Sequence, residues 1–350
     1  MSTKKYTLIE GAYLEDILRQ PRALHDTFES LAVSEPLRTL ARELKDQCFR
    51  RIILTGMGSS LYALYPLSLR LNSRGQTALL VETSELVHYL EPLIAPESLL
   101  VAVSQSGQSA EMIRLIEKND GRAKIVAITN TADSPLSQHA YATLLTHAGP
   151  EYSVSAKTYV TALMAIEFAG SILDGNGSDA ILLDLAEAEG RAADYLAAWR
   201  DHVIALADLL GGIKRLFLVG RGRSLAAAKT GALILKESAK FHAEGMSSAA
   251  FRHGPMEMVN DETLVAIFEG EDATRDLNHK LLSDIKSQGG RAELIGQNST
   301  HPALRLFSVT ETIRPILEIL PVQMMTLALN ARTGTEAGRF DFATKITRVE

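Results

Sequence analysis

A short apolar run that ends in a hydroxyl-rich turn constrains the fold of this chain more than any other feature. Residues 99–103 are apolar, residues 104–109 read Ser-Gln-Ser-Gly-Gln-Ser, and a helical pattern follows over residues 110–116. A buried parallel strand that ends at a helix start aims backbone N–H groups and the positive helix end at one point, where serine hydroxyls add hydrogen bonds. The turn predicts a phosphate site. A polar turn that merely caps the helix with serine is the alternative.

Composition limits the partners of the chain. Its 350 residues carry a net charge of −6 without a Lys/Arg block, which disfavours nucleic acid and acidic membranes as partners. The one cysteine, Cys48, excludes an internal disulfide framework and fits a reducing compartment. No apolar run is long enough to span a bilayer, and the polar N-terminus lacks the core of a signal peptide. We therefore expect a cytoplasmic protein without a membrane or nucleic-acid partner.

Strands alternate with helix-length segments along most of the chain, which predicts an α/β protein with parallel sheets covered by helices on both faces. The ligand of such a sheet lies at the carboxyl ends of its strands, where the serine-rich turns fall. Helices are expected first, over residues 12–32, with Pro21 near a helix boundary, and over residues 35–48. The strands of the first half are expected at residues 51–56, 77–81, 99–103, 123–129 and 142–145.

The second half of the chain repeats the design of the first. Residues 214–224 form an apolar strand that ends in a glycine-spaced, serine-bearing turn, as residues 50–60 do. The period of about 165 residues indicates a duplicated domain. We predict a division into an N-terminal helical segment (1–48), a first domain (49–173), a linker with bridging helices (174–210), a second domain (211–340) and a C-terminal tail (341–350).

Three other kinds of site are poorly supported. The Gly56-x-Gly58 and Gly220-x-Gly222 turns lack the third glycine of a dinucleotide fingerprint. The spacing of His242, Glu244 and His253 matches no zinc motif and has no thiolate partner, so we expect no metal site. A serine hydrolase would require a Gly-x-Ser-x-Gly elbow, which is absent from the sequence.

Two residues of the second half are candidates for acid–base chemistry. Glu237 lies on an apolar helical pattern, where burial would disfavour its charged form and suit it to proton transfer. A salt bridge with Lys236 or Lys240 is the alternative for this glutamate. His253 lies in a loop-like Arg-His-Gly-Pro segment, which would expose its ring for acid–base work, although a lone histidine is often structural.

These motifs, in this order, resemble the sugar isomerase (SIS) domain family. The resemblance is closest to the two-domain isomerase module of glucosamine-6-phosphate synthase and to the glucosamine-6-phosphate deaminases of the same type, and it covers nearly the whole chain. The matching stretches are residues 18–24, 58–60, 84–85, 104–107, 149–151, 153–155, 220–222, 235–237, 242–244, 253–255 and 345–350.

The resemblance implies two tandem SIS domains, each a flavodoxin-like, doubly wound parallel sheet flanked by helices. It assigns Glu237 as the base that moves a proton between C1 and C2, and His253 as the ring-opening histidine supplied by the partner subunit of a homodimer. Lys345 would contact the carbonyl end of the sugar and is able to form an imine there. The substrate-binding residues implied are Ser59, Ser60, Ser104, Gln105, Ser106, Ser109, Val154, Ser155 and Thr344.

The chain also departs from the synthase pattern. It is expected to lack the glutaminase domain, and therefore not to draw ammonia from glutamine. Ile234 stands where the synthase has a lysine three residues before its base, and the loop at residues 155–157 is one residue shorter. These departures disfavour synthase activity while leaving phosphate binding and C1–C2 proton transfer in place.

The function expected from these observations is a phosphosugar deaminase and isomerase that converts glucosamine 6-phosphate to fructose 6-phosphate and ammonia. It would need no metal or organic cofactor, because the carbonyl or imine of the substrate accepts the electron density. An aldose–ketose phosphate isomerase and a deglycase acting on a glycated amino-acid phosphate are alternatives. A non-catalytic phosphosugar sensor is a further one.

Overall fold

The computed structural model describes residues 9–342, 344 and 345, which form two compact units. The first-repeat unit comprises the described residues of 22–151, 157–187 and 343–350. The second-repeat unit comprises those of 9–21, 152–156 and 188–342. The predicted domain boundaries stay predictions. Residues 343 and 346–350 of the predicted tail lie outside the described residues.

The first-repeat unit is built on a five-stranded sheet in the order β2-β1-β3-β4-β5, in which every pair of neighbours is parallel. Apolar residues dominate β1, β3 and β4, as expected of strands covered on both faces. The strands are β1 (Arg51–Gly56), β2 (Ala78–Glu82), β3 (Ser98–Val103), β4 (Lys124–Thr129) and β5 (Ala142–Leu145).

The second-repeat unit contains a four-stranded parallel sheet in the order β7-β6-β8-β9. In both sheets the chain adds its second strand on one side of the first and then continues on the other side, which is the flavodoxin-like winding. The structure therefore confirms the predicted α/β class with two parallel sheets. The strands are β6 (Arg215–Gly220), β7 (Ala243–Ser247), β8 (Thr263–Phe268) and β9 (Arg291–Ile295).

Helices connect and flank these strands, and among the described residues none is long and apolar enough to cross a membrane. The helices up to β5 are α1 (Ala12–Leu18), α2 (Gln20–Ser30), α3 (Glu35–Lys45), α4 (Gly58–Tyr62), α5 (Tyr65–Ser73), α6 (Thr83–Tyr89), α7 (Ala110–Asn119) and α8 (Pro135–His139). Those after β5 are α9 (Lys157–Leu173), α10 (Asp179–Leu185), α11 (Glu187–Leu196), α12 (Trp199–Leu209), α13 (Leu225–Ala239), α14 (Ser248–Arg252), α15 (Asp272–Ser287) and α16 (Arg314–Thr333).

The helical pattern predicted over residues 12–32 is broken in the structure. Helix α1 ends at Leu18 and α2 begins at Gln20, so that Pro21 is the second residue of the new helix. A proline is tolerated there because the first N–H groups of a helix have no intrahelical partner, whereas inside one continuous helix its ring would clash with the preceding turn. The break also leaves the side chain of Leu18 exposed, while Ile17 is buried.

One long helix of each unit is buried over most of its length. Every residue of α9 is buried, and this helix packs on α3 and α5 within the first-repeat unit. Residues Pro315–Ala331 of α16 are buried, and this helix packs on α12 and α13 within the second-repeat unit. A helix that is apolar all round must be covered on all sides, which explains why neither sequence shows an amphipathic stripe.

Glu318 is a carboxyl group inside α16, only 1% exposed. Burial raises the pKa of Glu318 to about 8, although a hydrogen bond from Ser224 and the charge of Arg314 oppose this shift and the carboxylates of Glu271 and Glu269 add to it. The Ser224 hydroxyl donates to Oε1 of Glu318 at 2.8 Å. At neutral pH the side chain of Glu318 is therefore mainly a neutral carboxylic acid.

Replacement of Glu318 by glutamine is expected to remove a pH dependence of stability. The folded protein holds this proton up to about pH 8, whereas the unfolded chain loses it near pH 4.5. The stabilisation is complete below pH 4.5 and falls by about 1.4 kcal/mol per pH unit up to pH 8. Urea unfolding of the wild type and of Glu318→Gln between pH 5 and pH 8 measures this change in the free energy of unfolding. Parallel changes in the two proteins would contradict the prediction.

Candidate functional site

Two neighbouring strands of the first-repeat unit end side by side. Strands β1 and β3 pair in parallel, with Thr55 opposite Ala102. One residue further on, a Cβ atom added to Gly56 would lie 2.9 Å from the carbonyl oxygen of Val103. Only a glycine allows this close approach. The turns that follow β1 and β3 therefore start next to each other at the carboxyl edge of the sheet.

The turn after β3 carries three serines whose hydroxyls each accept a hydrogen bond from the backbone. Ser104 Oγ accepts from the N–H of Gly107 at 3.1 Å, and Ser106 Oγ accepts from that of Gln108 at 3.3 Å. Ser109 caps α7 by accepting from the N–H of Met112 at 3.4 Å. A hydroxyl that accepts a bond keeps its own proton for donation. The turn can therefore present donors to an anion.

This geometry corrects one detail of the sequence prediction, which expected unpaired backbone N–H groups in the turn. The N–H groups of Gly107 and Gln108 are bound by serine hydroxyls. A ligand would therefore receive hydrogen bonds from the O–H groups of Ser104 and Ser106 and not from these two amides. At these two positions the donors offered to an anion are therefore hydroxyls.

Hydrogen bonds to the neighbouring strand fix the shape of the turn. The carbonyl oxygen of Gln105 accepts from the N–H of Asn130 at 3.0 Å and from the hydroxyl of Thr129 at 3.2 Å. Gly107 has a φ of +62°, and a Cβ atom there would lie 2.2 Å from Ser134 Oγ. Contacts with residues 129–130 and with Ser134 thus hold the turn in place. The side chain of Gln105 is partly exposed.

The turn after β1 supplies the other two predicted serines. Gly58 begins α4 with a φ of +50°, and Ser59 and Ser60 follow it with partly buried side chains. The Oγ atom of Ser59 is buried and has no hydrogen-bond partner among the residues that the structure describes. An unpaired buried hydroxyl is costly, and a ligand oxygen would satisfy it.

Lys345 is held by a buried carboxylate of the first-repeat unit. Its Nζ lies 2.5 Å from Oε2 of Glu151, whose side chain is fully buried, while the lysine side chain is 21% exposed. Thr158 at the start of α9 binds the same carboxylate, with its N–H at 3.1 Å from Oε1 and its hydroxyl at 2.6 Å from Oε2. Thr344 is exposed. The sequence analysis assigned Glu151 no role, because its contact joins residues 194 positions apart.

Two predicted pocket residues, Val154 and Ser155, belong to the second-repeat unit. Val154 is 1% exposed, so its side chain is part of the core. Ser155 is partly exposed. The adjacent Ser153 donates its hydroxyl to the carbonyl oxygen of Gly338 at 2.7 Å, which fixes this segment.

Glu237 and His253 also lie in the second-repeat unit. Glu237 is in the last turn of α13 and is partly buried, beside buried Ile234 and Leu235. Leu233, expected to be buried, is partly exposed. His253 directly follows the last residue of α14 and is exposed, as its loop-like sequence predicts. The predicted residues are thus divided between the units. The serines of the turns after β1 and β3 and Lys345 belong to the first-repeat unit, and Val154, Ser155, Glu237 and His253 belong to the second.

The possible metal ligands do not form a metal site in the described part of the chain. His242 Nε2 lies 3.8 Å from Glu244 Oε1, but no group of three or more His, Cys, Asp or Glu side chains is arranged to hold a metal ion among residues 9–342, 344 and 345. The chemistry that the arrangement offers is hydrogen bonding to an anion and proton transfer by side chains.

Replacing Gly107 by alanine is expected to destabilise the fold and to weaken phosphate binding. The alanine would adopt a left-handed conformation, which costs about 1–2 kcal/mol, and would also collide with Ser134. Gly75 has a φ of +78° with no described atom within 4 Å of an added Cβ, so Gly75→Ala carries the conformational cost alone. Urea unfolding and phosphate titration of both variants measure the difference. Equal losses in the two variants would contradict a tightly packed turn.

Replacing Glu151 by glutamine is expected to release Lys345. The amide oxygen still accepts from the Thr158 N–H and the amide NH2 can donate to the Thr158 hydroxyl, but the charge that holds the ammonium group is removed. Acetylation of Lys345, followed by mass spectrometry, should be several-fold faster in Glu151→Gln than in the wild type. Glu43→Gln, which disrupts a more exposed pair with Lys124, is the control. An unchanged rate at Lys345 would show that Glu151 does not hold it.

Comparisons with known proteins agree with this architecture. The SIS domain model matches residues 47–171 and 209–331. Glutamine–fructose-6-phosphate aminotransferase (isomerizing) of Thermococcus kodakarensis is 31% identical over 344 residues, which cover 92% of this chain and 55% of the relative. The chain thus spans about half the length of this curated relative.

Solved structures share the fold over nearly the whole chain. The C-terminal domain of glucosamine-fructose-6-phosphate aminotransferase from Francisella tularensis superposes with a TM-score of 0.82 at 21% identity, covering 97% of this chain and 100% of that one. Glucosamine-6-phosphate deaminase from Thermotoga maritima superposes with a TM-score of 0.78 at 16% identity over the same shares. The family model matches two segments of the chain, both parallel sheets have the same winding, and one relative is 31% identical. The chain therefore belongs to the SIS domain family.

Proposed function

We propose that this protein is a phosphosugar enzyme that deaminates and isomerises an amino-sugar 6-phosphate. The reaction is glucosamine 6-phosphate plus water to fructose 6-phosphate plus ammonia. The observation that carries the proposal is the pair of serine-bearing turns after β1 and β3. These turns combine hydroxyl donors with the start of α7, an arrangement suited to the dianionic phosphate of a sugar.

The number of serine hydroxyls supports a phosphate rather than a carboxylate as the bound anion. Ser104, Ser106 and Ser109 each keep an O–H proton to donate, and the buried Ser59 hydroxyl adds a fourth. A phosphate has more acceptor oxygens than a carboxylate and uses several donors at once. No arginine or lysine is among the predicted phosphate-binding residues, so binding depends on neutral donors and the helix start.

The proposed chemistry assigns a proton-transfer role to Glu237. In the open-chain sugar, Glu237 takes the proton from C2 and returns it at C1, so that an enolamine forms and becomes the C2 imine. Water adds to this imine, and the carbon–nitrogen bond breaks to release ammonia and the ketose. His253 assists ring opening, and Lys345 contacts the carbonyl end of the sugar. No electrons are gained or lost overall, so the step requires no redox cofactor.

The names of the relatives support the substrate class. The Thermococcus kodakarensis protein is named for fructose 6-phosphate and for isomerization. Ile234 replaces the lysine of the synthase pattern three residues before Glu237, which favours deamination over synthesis in our proposal. The exposed position of His253 fits a role in the site of a second copy of this chain, so we also propose a homodimer.

Glu237→Gln is expected to keep the fold and to lose at least about 100-fold in kcat, because general acid–base catalysis contributes that much or more. The assay measures ammonia and fructose 6-phosphate released from glucosamine 6-phosphate, with a metal chelator present. Glu262→Gln removes a surface carboxylate paired with Lys214 in the same unit and serves as the control.

We expect the wild type and Glu262→Gln to release ammonia and fructose 6-phosphate in equal amounts. Glu237→Gln should release neither product at a comparable rate. Near-normal turnover by Glu237→Gln would remove this residue from the base role. A wild type that releases neither product would exclude the amino-sugar reaction. Interconversion of fructose 6-phosphate and glucose 6-phosphate by that protein would then identify a plain aldose–ketose isomerase.

A further inference from the structure

The second-repeat unit has the same carboxyl edge as the first. Strands β6 and β8 pair in parallel, with Val219 opposite Ile267, just as β1 pairs with β3. The turn after β6 contains Gly222 with a φ of +58°, the counterpart of Gly58 with a φ of +50° after β1. At both edges the turn after the first strand thus contains a glycine in the left-handed conformation.

The second edge carries charged side chains in addition to the serine of its turn, Ser224. Glu271 is the N-cap residue of α15, the helix after β8, as Ser109 is that of α7, the helix after β3. Its carboxylate lies over the turn after β6: Oε1 is 3.2 Å from Nε of Arg223, and the backbone N–H of Arg223 donates to it. A Cβ atom on Gly222 would lie 2.5 Å from Oε2.

The surroundings of Glu271 disfavour the charged form of its carboxyl group. Burial and the neighbouring carboxylate of Glu311 raise the pKa of Glu271, and the charges of Arg223 and Arg314 oppose that shift. The neutral acid of Glu318 lies close by and binds Ser224, the residue after Arg223. Two arginines, a backbone amide and a glycine that leaves room for oxygen atoms thus surround one carboxylate.

We propose that the second-repeat unit retains an anion site equivalent to the phosphate site of the first, and that the carboxylate of Glu271 occupies it. In the wild type a phosphate group is then excluded from this edge, both by the volume of the side chain and by its charge. Removal of the Glu271 side chain should open a second site for phosphate.

The inference does not require the proposed enzymatic function, because it concerns inorganic phosphate and the difference between variants. Glu271→Ser empties the site and supplies a better N-cap for α15 than glutamate does, so the variant is expected to fold. Glu271→Gly is a second emptied variant. Glu271→Gln keeps the site filled without the charge, and Glu311→Ser removes a nearby charge without emptying the site.

Equilibrium dialysis with inorganic phosphate, at low ionic strength, measures the number of ions bound per chain. We expect Glu271→Ser and Glu271→Gly each to bind one more phosphate than the wild type, and phosphate to raise their melting temperatures more than that of the wild type. Glu271→Gln and Glu311→Ser should bind as the wild type does. The number of phosphate ions bound by the wild type separately tests the proposed phosphate site at the edge formed by β1 and β3.

Two results would overturn the inference. A folded Glu271→Ser or Glu271→Gly that binds no additional phosphate would show that the edge is not an anion site. An equal gain in Glu271→Gln or Glu311→Ser would show that lost negative charge, rather than an emptied site, causes the binding.

Discussion

The parallel pairing of β1 with β3 and of β6 with β8 is the constraint on which both carboxyl edges depend. Parallel strands end at the same edge, so turns that are some fifty residues apart in sequence start side by side. The close approach of Gly56 to the carbonyl oxygen of Val103 sets their separation. A slip of the register by one residue would move the side chains of a strand to the opposite face of the sheet and shift the two serine turns relative to each other.

The two edges use this shared backbone in opposite ways. At the first edge, short hydroxyl side chains line the turns, and one buried hydroxyl, that of Ser59, has no partner in the described chain. At the second edge, a long acidic side chain, that of Glu271, bonds to the turn after β6. A duplicated fold can therefore keep its winding while one copy binds its own side chain and the other remains open to a ligand.

Local patterns in the sequence predicted much of the fold. The apolar run before Ser104 and the glycine-spaced turns predicted the strands and the position of the serines, because strand burial and helix capping are properties of neighbouring residues. The helix boundary near Pro21 was predicted from the proline itself, and the structure places the break at Arg19. The contact of Lys345 with Glu151 and the position of Glu271 over Gly222 were not predictable, since each joins residues from distant segments. The neutral state of Glu318 depends on burial of the whole α16 helix.

Glu318 also links the unfolding of the second-repeat unit to its buffer. Between pH 4.5 and about pH 8, the native side chain carries a proton that the unfolded chain does not hold. Unfolding then releases that proton to the solvent. The heat absorbed in calorimetry therefore includes the ionisation enthalpy of the buffer, so that melts in PIPES and in Tris at one pH would report different enthalpies for the same structural transition.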